Sequence, residues 1–241
     1  MNMQKHIPNL LTLFNLLSGC IAIVFVSNSD FKMAFFFVCL GIFFDFFDGF
    51  LARKWSVAGP LGVQLDSLAD MVTSGVAPGY VMYHMLSLKG GFMKVITDLS
   101  IFQISFLGFI ITLGACYRLA NFNIDTRQSD SFIGLPTPAN ALFIMSLPLV
   151  LASHPDNEII NLLLNKWVLI AISLLSVYVM NAEIPLFSLK IKDFTFQKYK
   201  LQIGFLLAST ALLIFLQFTA VPLIIVMYVL LSVMNNIMTK K

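Results

Sequence analysis

The chain has 241 residues, of which 59% are hydrophobic and only 11% are charged, and its mean hydropathy is +0.88. Because an average soluble domain carries about 25% charged residues, this composition argues against a water-soluble protein and indicates an all-α, polytopic membrane protein. The net charge of +3 is too small to indicate a nucleic-acid partner. The cysteines stand singly in apolar stretches, so they indicate neither a zinc site nor a disulfide framework.

Eight apolar stretches approach the length of about 20 residues that a transmembrane helix needs. They cover residues 9–27, 33–52, 66–87, 101–120, 138–153, 167–187, 201–218 and 220–238. Eight spans place both termini on one side, and 11 of the 15 basic residues then lie on that side. The positive-inside rule predicts that this side is cytoplasmic. No linker divides the chain, so we expect residues 1–241 to form a single membrane domain.

The second and third spans carry a third of the 12 acidic residues, namely Asp45, Asp48, Asp66 and Asp70. A carboxylate in a transmembrane segment is costly, and such residues usually face a cavity, a partner or an ion. Spacings of three and four place each pair on one face of its helix. A connection over residues 53–65 that contains Gly and Pro would join the two spans as an antiparallel hairpin. The sequence therefore predicts that the four carboxylates meet near the cytoplasmic end.

Two hypotheses explain such a cluster. Carboxylate oxygens are the ligands that Mg²⁺ and Mn²⁺ prefer, and four carboxylates suit two metal ions. Arg53 adds a planar donor for phosphate, while Gly49 and Gly62 let a ligand approach the backbone. The alternative is the cation or proton pathway of a transporter. A transporter would more often distribute its acids over several helices, so their concentration on one hairpin favours the metal site.

From position 45 to position 70 the sequence reads D-F-F-D-G-F-L-A-R, eight residues, G, three residues, D, three residues, D. This pattern resembles the signature of the CDP-alcohol phosphotransferases, and its eight fixed positions make the match specific. Residues 7–19, 64–78, 117–123 and 132–138 are similar to a group within that family, the membrane-embedded bacterial phosphatidylserine synthases. The resemblance implies that the phosphatidyl group of CDP-diacylglycerol is transferred to L-serine with two Mg²⁺ or Mn²⁺ ions. It also implies a homodimer in the inner membrane with a cytoplasmic active site.

The resemblance assigns roles to individual residues. Asp45 and Asp66 would bridge both metals. Asp48 would bind the first metal, and Asp70 would bind the second and act as general base. Many relatives have Ser or Thr at the position of Gly59. This chain has no hydroxyl at that position, and the nearest hydroxyl in the sequence is that of Ser56. The expected contacts to CDP-diacylglycerol come from Asn9, Thr12, Gly49, Ala52, Arg53, Ser56 and Gly62, and the expected acceptor contacts come from Arg118 and Asn121.

Some of these residues have a second interpretation. Asn9 has the alternative of capping the first helix. Thr12 and Asn15 lie three apart on one face, where they could form hydrogen bonds between helices. Arg118 would hold the serine carboxylate or a lipid phosphate, or else mark the cytoplasmic side by reaching to the interface. Within the family, glycerol 3-phosphate, inositol or inositol phosphate are alternative acceptors, although a phosphate-bearing acceptor should need more basic residues than the chain offers here.

Overall fold

The computed structural model describes residues 6–87, 104–125, 133–187 and 200–239. Over these ranges the chain is helical, and extended pairing is limited to an isolated bridge between Ile133 and Pro185. The α-helices are α1 (His6–Ser27), α2 (Phe31–Lys54), α3 (Pro60–Asp70), α4 (Ala77–Ser87), α5 (Ile110–Ile124), α6 (Thr137–Ser153), α7 (Lys166–Asn181), α8 (Lys200–Leu216) and α9 (Ala220–Thr239). A π-helical segment, Met71–Val76, joins α3 to α4, and the turn Ile104–Phe109 leads into α5.

Four helical stretches of the described chain are long and apolar enough to cross a membrane: His6–Ser27, Phe31–Lys54, Ile104–Ile124 and Lys200–Met238. The helices Thr137–Ser153 and Lys166–Asn181 are apolar but shorter. Large apolar side chains cover the outside, as in Phe46 and Phe215, which are 62% and 82% exposed. Lipid solvates such a surface without penalty. The predicted helical membrane protein is therefore confirmed, whereas the number of eight spans and the side of the termini stay predictions.

The stretch Lys200–Met238 folds back on itself. A short turn, Gln217–Thr219, separates α8 from α9, and Gln217 adopts a left-handed conformation with φ 47. The rings of Phe205 and Tyr228 lie on opposite sides of this turn with their centroids 5.5 Å apart. In one straight helix, residues so far apart in sequence would be separated by about 35 Å. The two helices therefore form a hairpin, which agrees with separate spans at 201–218 and 220–238.

The connection between α2 and α3 is shorter than predicted. Residues 53–65 were expected to form a loop, but α2 continues to Lys54 and α3 begins at Pro60. Pro60 takes the first helical position after Gly59, which is extended with φ −156. Proline suits that position because its missing N–H would have no helical partner there. Arg53 and Gly62 consequently lie on helices rather than in a loop.

The sixth span also ends earlier than expected. Residues 167–187 were predicted to be helical, but α7 ends at Asn181 because Ala182 is extended, with φ −70 and ψ 146. The chain then runs beside the segment that enters α6, where the Gly134 N–H donates to the Ile184 carbonyl at 2.8 Å. Residues 188–199, which separate the predicted spans 167–187 and 201–218, lie outside the described residues.

Close helix packing brings α1, α2 and the π segment together. A Cβ placed on Gly41 of α2 would lie 2.7 Å from Thr73 Cγ2 and 2.8 Å from Asn15 Oδ1. Such distances are shorter than a van der Waals contact, so only glycine fits at this crossing. Gly19 of α1 faces the Thr73 hydroxyl in the same way. These small residues let the three segments approach closely enough for polar side chains to meet between them.

Candidate metal centre

Three carboxylates from the α2–α3 hairpin converge. Asp45 and Asp48 lie one turn apart near the end of α2, and Asp66 lies in the second turn of α3. One carboxylate oxygen from each of the three lies within 4.8 Å of the other two. Asp48 is buried, and the other two are partly buried. The short connection and the matching spacings thus bring together three of the four carboxylates that the sequence predicted to meet.

Asp70 lies one turn beyond Asp66, at the end of α3, and is only 8% exposed. Its Oδ1 accepts a hydrogen bond from Asn15 Nδ2 at 3.0 Å. Asp70 is not one of the three residues within 4.8 Å of one another. The π segment begins at the next residue, and such wide turns inside helices are frequent at functional sites.

Helix α1 contributes polar side chains to the cluster. The Thr12 hydroxyl donates to Asp48 Oδ2 at 2.5 Å, so the helix-to-helix hydrogen bonding considered for Thr12 and Asn15 is present at both residues. Asn9 lies inside α1, and the alternative that it caps the helix is therefore wrong. Its Oδ1 instead faces α3, 3.5 Å from where a Cβ on Gly62 would lie.

Other residues predicted to bind CDP-diacylglycerol lie at the end of α2. Gly49, Ala52 and Arg53 follow Asp48 on its last turns. The Arg53 guanidinium lies over Gly49, where an added Cβ would be 3.2 Å from Nη1. Ser56 is exposed in the turn after α2 and has a positive φ of 53. With Asn9 and Gly62 opposite, the structure brings these predicted residues to one end of α1, α2 and α3.

Arg118 has a different environment from the one predicted. It is only 8% exposed, so it does not reach to the interface as a marker of the cytoplasmic side. Its Nη1 donates to the carbonyls of Ile133 at 2.7 Å and Met180 at 2.9 Å, and Nη2 donates to Gly134 at 3.1 Å. Asn121 is exposed almost one turn further along α5. Acceptor binding by these two residues stays a prediction.

Two polar contacts around the centre were missed by sequence reasoning. The Thr73 hydroxyl donates to the Asn15 carbonyl at 3.0 Å, and Asn123 Nδ2 donates to Ser67 Oγ at 2.8 Å. The sequence indicated such contacts only indirectly, because polar residues lie next to Asp66 and Asp70 in an apolar span. Their partners on α1 and α5 are distant in sequence, so only the folded structure reveals them.

The donor set of this cluster fits a divalent cation. Its three nearest groups are all carboxylates, which are the hard oxygen ligands that Mg²⁺ and Mn²⁺ prefer. Like charges at such separations repel unless a cation lies between them. Asp45, Asp48 and Asp66 are therefore the residues that could hold a metal, and Asp70 lies one turn beyond Asp66 on the same helix. A helical membrane protein with a carboxylate cluster suited to divalent cations is the class that this fold and site define.

Residues 5–179 match the family model described as CDP-alcohol phosphatidyltransferase, and the chain belongs to this family. The match contains all the aspartates of the centre. Membership favours an enzyme over the alternative of a cation or proton transporter.

Curated relatives that share one enzyme name match more than half of this chain. A CDP-diacylglycerol–serine O-phosphatidyltransferase of Bacillus subtilis is 32% identical over 148 residues, which cover 60% of this chain and 76% of the relative. The protein of the same name from Helicobacter pylori strain J99 is 34% identical over 140 residues, 57% of this chain and 55% of the relative. That from Methanocaldococcus jannaschii is 32% identical over 158 residues, 66% of this chain and 68% of the relative.

Proposed function

We propose that this chain is a CDP-diacylglycerol–serine O-phosphatidyltransferase, which transfers the phosphatidyl group from CDP-diacylglycerol to the hydroxyl of L-serine and releases CMP. The convergence of Asp45, Asp48 and Asp66 within 4.8 Å, inside the segment that matches the family, is the observation that carries the proposal. The choice of serine is supported by the names of the Bacillus and Helicobacter relatives.

Each aspartate would have its own role in binding the cations. Asp45 and Asp66, which face each other across the hairpin, would hold both metals, with Asp48 binding the first and Asp70 the second. When bound, the cations would supply positive charge against the diphosphate and the developing transition state. The oxygen-only donor set supports Mg²⁺ or Mn²⁺.

Asp70 is our candidate for the general base. The serine hydroxyl attacks the phosphorus that carries the diacylglycerol group, and a carboxylate at Asp70 takes its proton as the new O–P bond forms. The bond from that phosphorus to the bridging diphosphate oxygen breaks, and CMP leaves with the electron pair. Burial of Asp70 beside Asn15 supports this role because it fixes the carboxylate in one orientation.

The donor headgroup would lie at the end of the α2–α3 hairpin. Arg53 carries the positive charge that suits a phosphate oxygen, and its guanidinium lies over Gly49, whose missing side chain leaves room for it. Ala52, Ser56, Gly62, Asn9 and Thr12 surround the same end. On the acceptor side, Arg118 retains N–H groups beyond the three that contact carbonyls, and Asn121 lies near it in sequence.

The proposal extends to the cellular setting. The distribution of Lys and Arg among the predicted loops supports a cytoplasmic active site and cytoplasmic termini, in a protein of the inner membrane. A homodimer is expected by analogy with the family alone.

One assay tests the reaction. Purified protein in detergent is incubated with CDP-diacylglycerol, Mn²⁺ or Mg²⁺, and one acceptor at a time: L-serine, glycerol 3-phosphate, inositol or inositol phosphate. We expect CMP release only with L-serine and a divalent cation, and no release after EDTA treatment. Release with another acceptor would reject serine but keep the family reaction. Cation uptake into proteoliposomes without CMP release would instead support a transporter.

A matched pair of substitutions tests the general base. Asp70→Asn should abolish CMP release while retaining part of the binding of CDP-diacylglycerol, because the amide cannot accept the proton. Asp156→Asn removes a carboxylate at an exposed position outside the centre and should leave turnover unchanged. Normal turnover by Asp70→Asn would remove Asp70 as the base.

A further inference from the structure

We propose that Thr12 and Asn15 of α1 are positioning residues, which orient Asp48 and Asp70 for cation binding. The inference rests on the proposed function, because it concerns the carboxylates that would hold the cations there. It assigns Thr12 a different role from the predicted contact to CDP-diacylglycerol, and it assigns Asn15 a role in the metal centre.

The contact between Thr12 and Asp48 is short and buried. Thr12 Oγ1 has two acceptors in reach, Asp48 Oδ2 at 2.5 Å and the Pro8 carbonyl at 3.1 Å. Its single proton favours the carboxylate, which is the nearer and the more negative of the two. Asp48 has a second oxygen, so this hydrogen bond restrains the carboxylate at Oδ2 and leaves an oxygen for a cation.

Asn15 is held on several sides. Its side chain is fully buried, and Nδ2 donates to Asp70 Oδ1 at 3.0 Å. The backbone carbonyl of Asn15 accepts from the Thr73 hydroxyl at 3.0 Å, which ties α1 to the π segment. Gly41 leaves just enough room for the amide, since a Cβ there would lie 2.8 Å from Asn15 Oδ1. The amide that faces Asp70 is therefore confined to one place.

The hydrogen bonds of Thr12 and Asn15 act together. Thr12 and Asn15 are three residues apart and lie on the same face of α1, while their partners lie on α2 and α3. A single helix thus sets the orientation of carboxylates from both halves of the hairpin. Outer partners of this kind orient metal ligands in many proteins, and their loss typically lowers metal affinity or activity by about 10–100-fold.

The test measures cation binding without substrate. Mn²⁺ is titrated into the full-length protein in detergent, and free Mn²⁺ is followed by electron paramagnetic resonance. Thr12→Val keeps side-chain volume, and Asn15→Leu keeps the number and branching of the side-chain heavy atoms. Both remove the donor, so we expect each to weaken Mn²⁺ binding by about 10–100-fold. Thr12→Ser keeps the hydroxyl and should bind Mn²⁺ like the wild type.

A control on the same helix separates positioning from packing. Ser18 is buried in α1, but its hydroxyl donates to the Phe14 carbonyl of its own helix at 2.7 Å. Ser18→Ala should therefore leave Mn²⁺ affinity unchanged. Should Asn15→Leu fail to fold, Asn15→Ala provides the same loss of the donor with a smaller side chain, and the Thr12 pair stands independently.

The outcomes distinguish this inference from the proposed function. Wild-type Mn²⁺ affinity in Thr12→Val together with a raised KM for CDP-diacylglycerol would overturn positioning in favour of a direct substrate contact. An equal loss in Ser18→Ala would also overturn it. If the wild type binds Mn²⁺ but releases no CMP with serine, the proposed reaction fails while the variants still decide the role of α1. If the wild type binds no Mn²⁺, both proposals fail.

Discussion

Replacing Arg118 should destabilise the protein more than it impairs the binding of serine. The guanidinium joins three parts of the chain, because it donates from α5 to the carbonyls of Ile133 and Gly134 before α6 and of Met180 at the end of α7. Arg118→Met keeps an unbranched apolar stem and removes all these donors. The carbonyls then lose a charged partner in a region that water reaches poorly.

The cost can be worked out from the contacts. Hydrogen bonds to the Met180 and Gly134 carbonyls are buried, and the one to Ile133 is partly buried. A buried acceptor left unsatisfied costs about 1–3 kcal/mol, so the two buried carbonyls alone predict a loss of about 2–6 kcal/mol in the free energy of unfolding. Arg118→Lys should recover only part of this loss, since an ammonium group cannot reproduce the planar fork.

Unfolding by sodium dodecyl sulfate in mixed micelles measures the free energy, and CMP release at low temperature measures KM for serine on the fraction that stays folded. We expect the order of stability to be wild type, then Arg118→Lys, then Arg118→Met, with a modest rise in KM for serine, because the N–H groups left over from the three carbonyl contacts would make a minor contact to serine. A variant of unchanged stability with a strongly raised KM would refute this reasoning and restore acceptor binding as the main role of Arg118.

Three further predictions use the same assays. Gly41→Ala should lower the free energy of unfolding by about 1–3 kcal/mol, because its Cβ would lie 2.7 Å from Thr73 Cγ2; unchanged stability would show that the helices can separate there. Ser176→Ala should cost about 0.6–2 kcal/mol, since it removes the 2.5 Å hydrogen bond to Asn140 between α7 and α6, and a double-mutant cycle with Asn140 should give a coupling of that size. Arg53→Ala should raise KM for CDP-diacylglycerol more than it lowers kcat, and unchanged donor affinity would argue against phosphate binding at this residue.

The sequence predicted the helical class and most helix positions because a segment that is surrounded by lipid must be apolar. Such a segment is visible as a run of apolar residues. The prediction failed at boundaries that depend on local backbone geometry. Pro60 falls within the predicted loop although proline fits the first helical position. Helix α7 ends before Pro185 because the chain turns to pair with the segment at Ile133. Neither boundary changes hydropathy, so an apolar window cannot detect it.

The site was predictable where spacing alone determines neighbours. Asp45, Asp48 and Asp66 converge because their helices are joined by a short connection. The surroundings were less predictable, since they depend on which face of α1 meets the hairpin and on a glycine that allows the approach. The polar character of Thr12 and Asn15 signalled a function, but their partners Asp48 and Asp70 emerge only from the packing.

The π segment Met71–Val76 divides the predicted third span into two α-helices, α3 and α4. The side chains of α3 and α4 therefore do not follow one continuous α-helical periodicity. Before the π segment, Asp70 faces α1; after it, Gly79 packs against Thr112 of α5, and the Thr112 hydroxyl donates to the Gly75 carbonyl within the segment at 2.9 Å. An α-helix rotates by about 100° per residue, and the wider π turn with its i→i+5 hydrogen bonds rotates by less, so the same six residues in a regular α-helix would turn the carboxylates relative to α4. Either Asp70 or Gly79 would then face the wrong neighbour, and the π-helical geometry of this segment is therefore as much a determinant of the carboxylate cluster as its aspartates are.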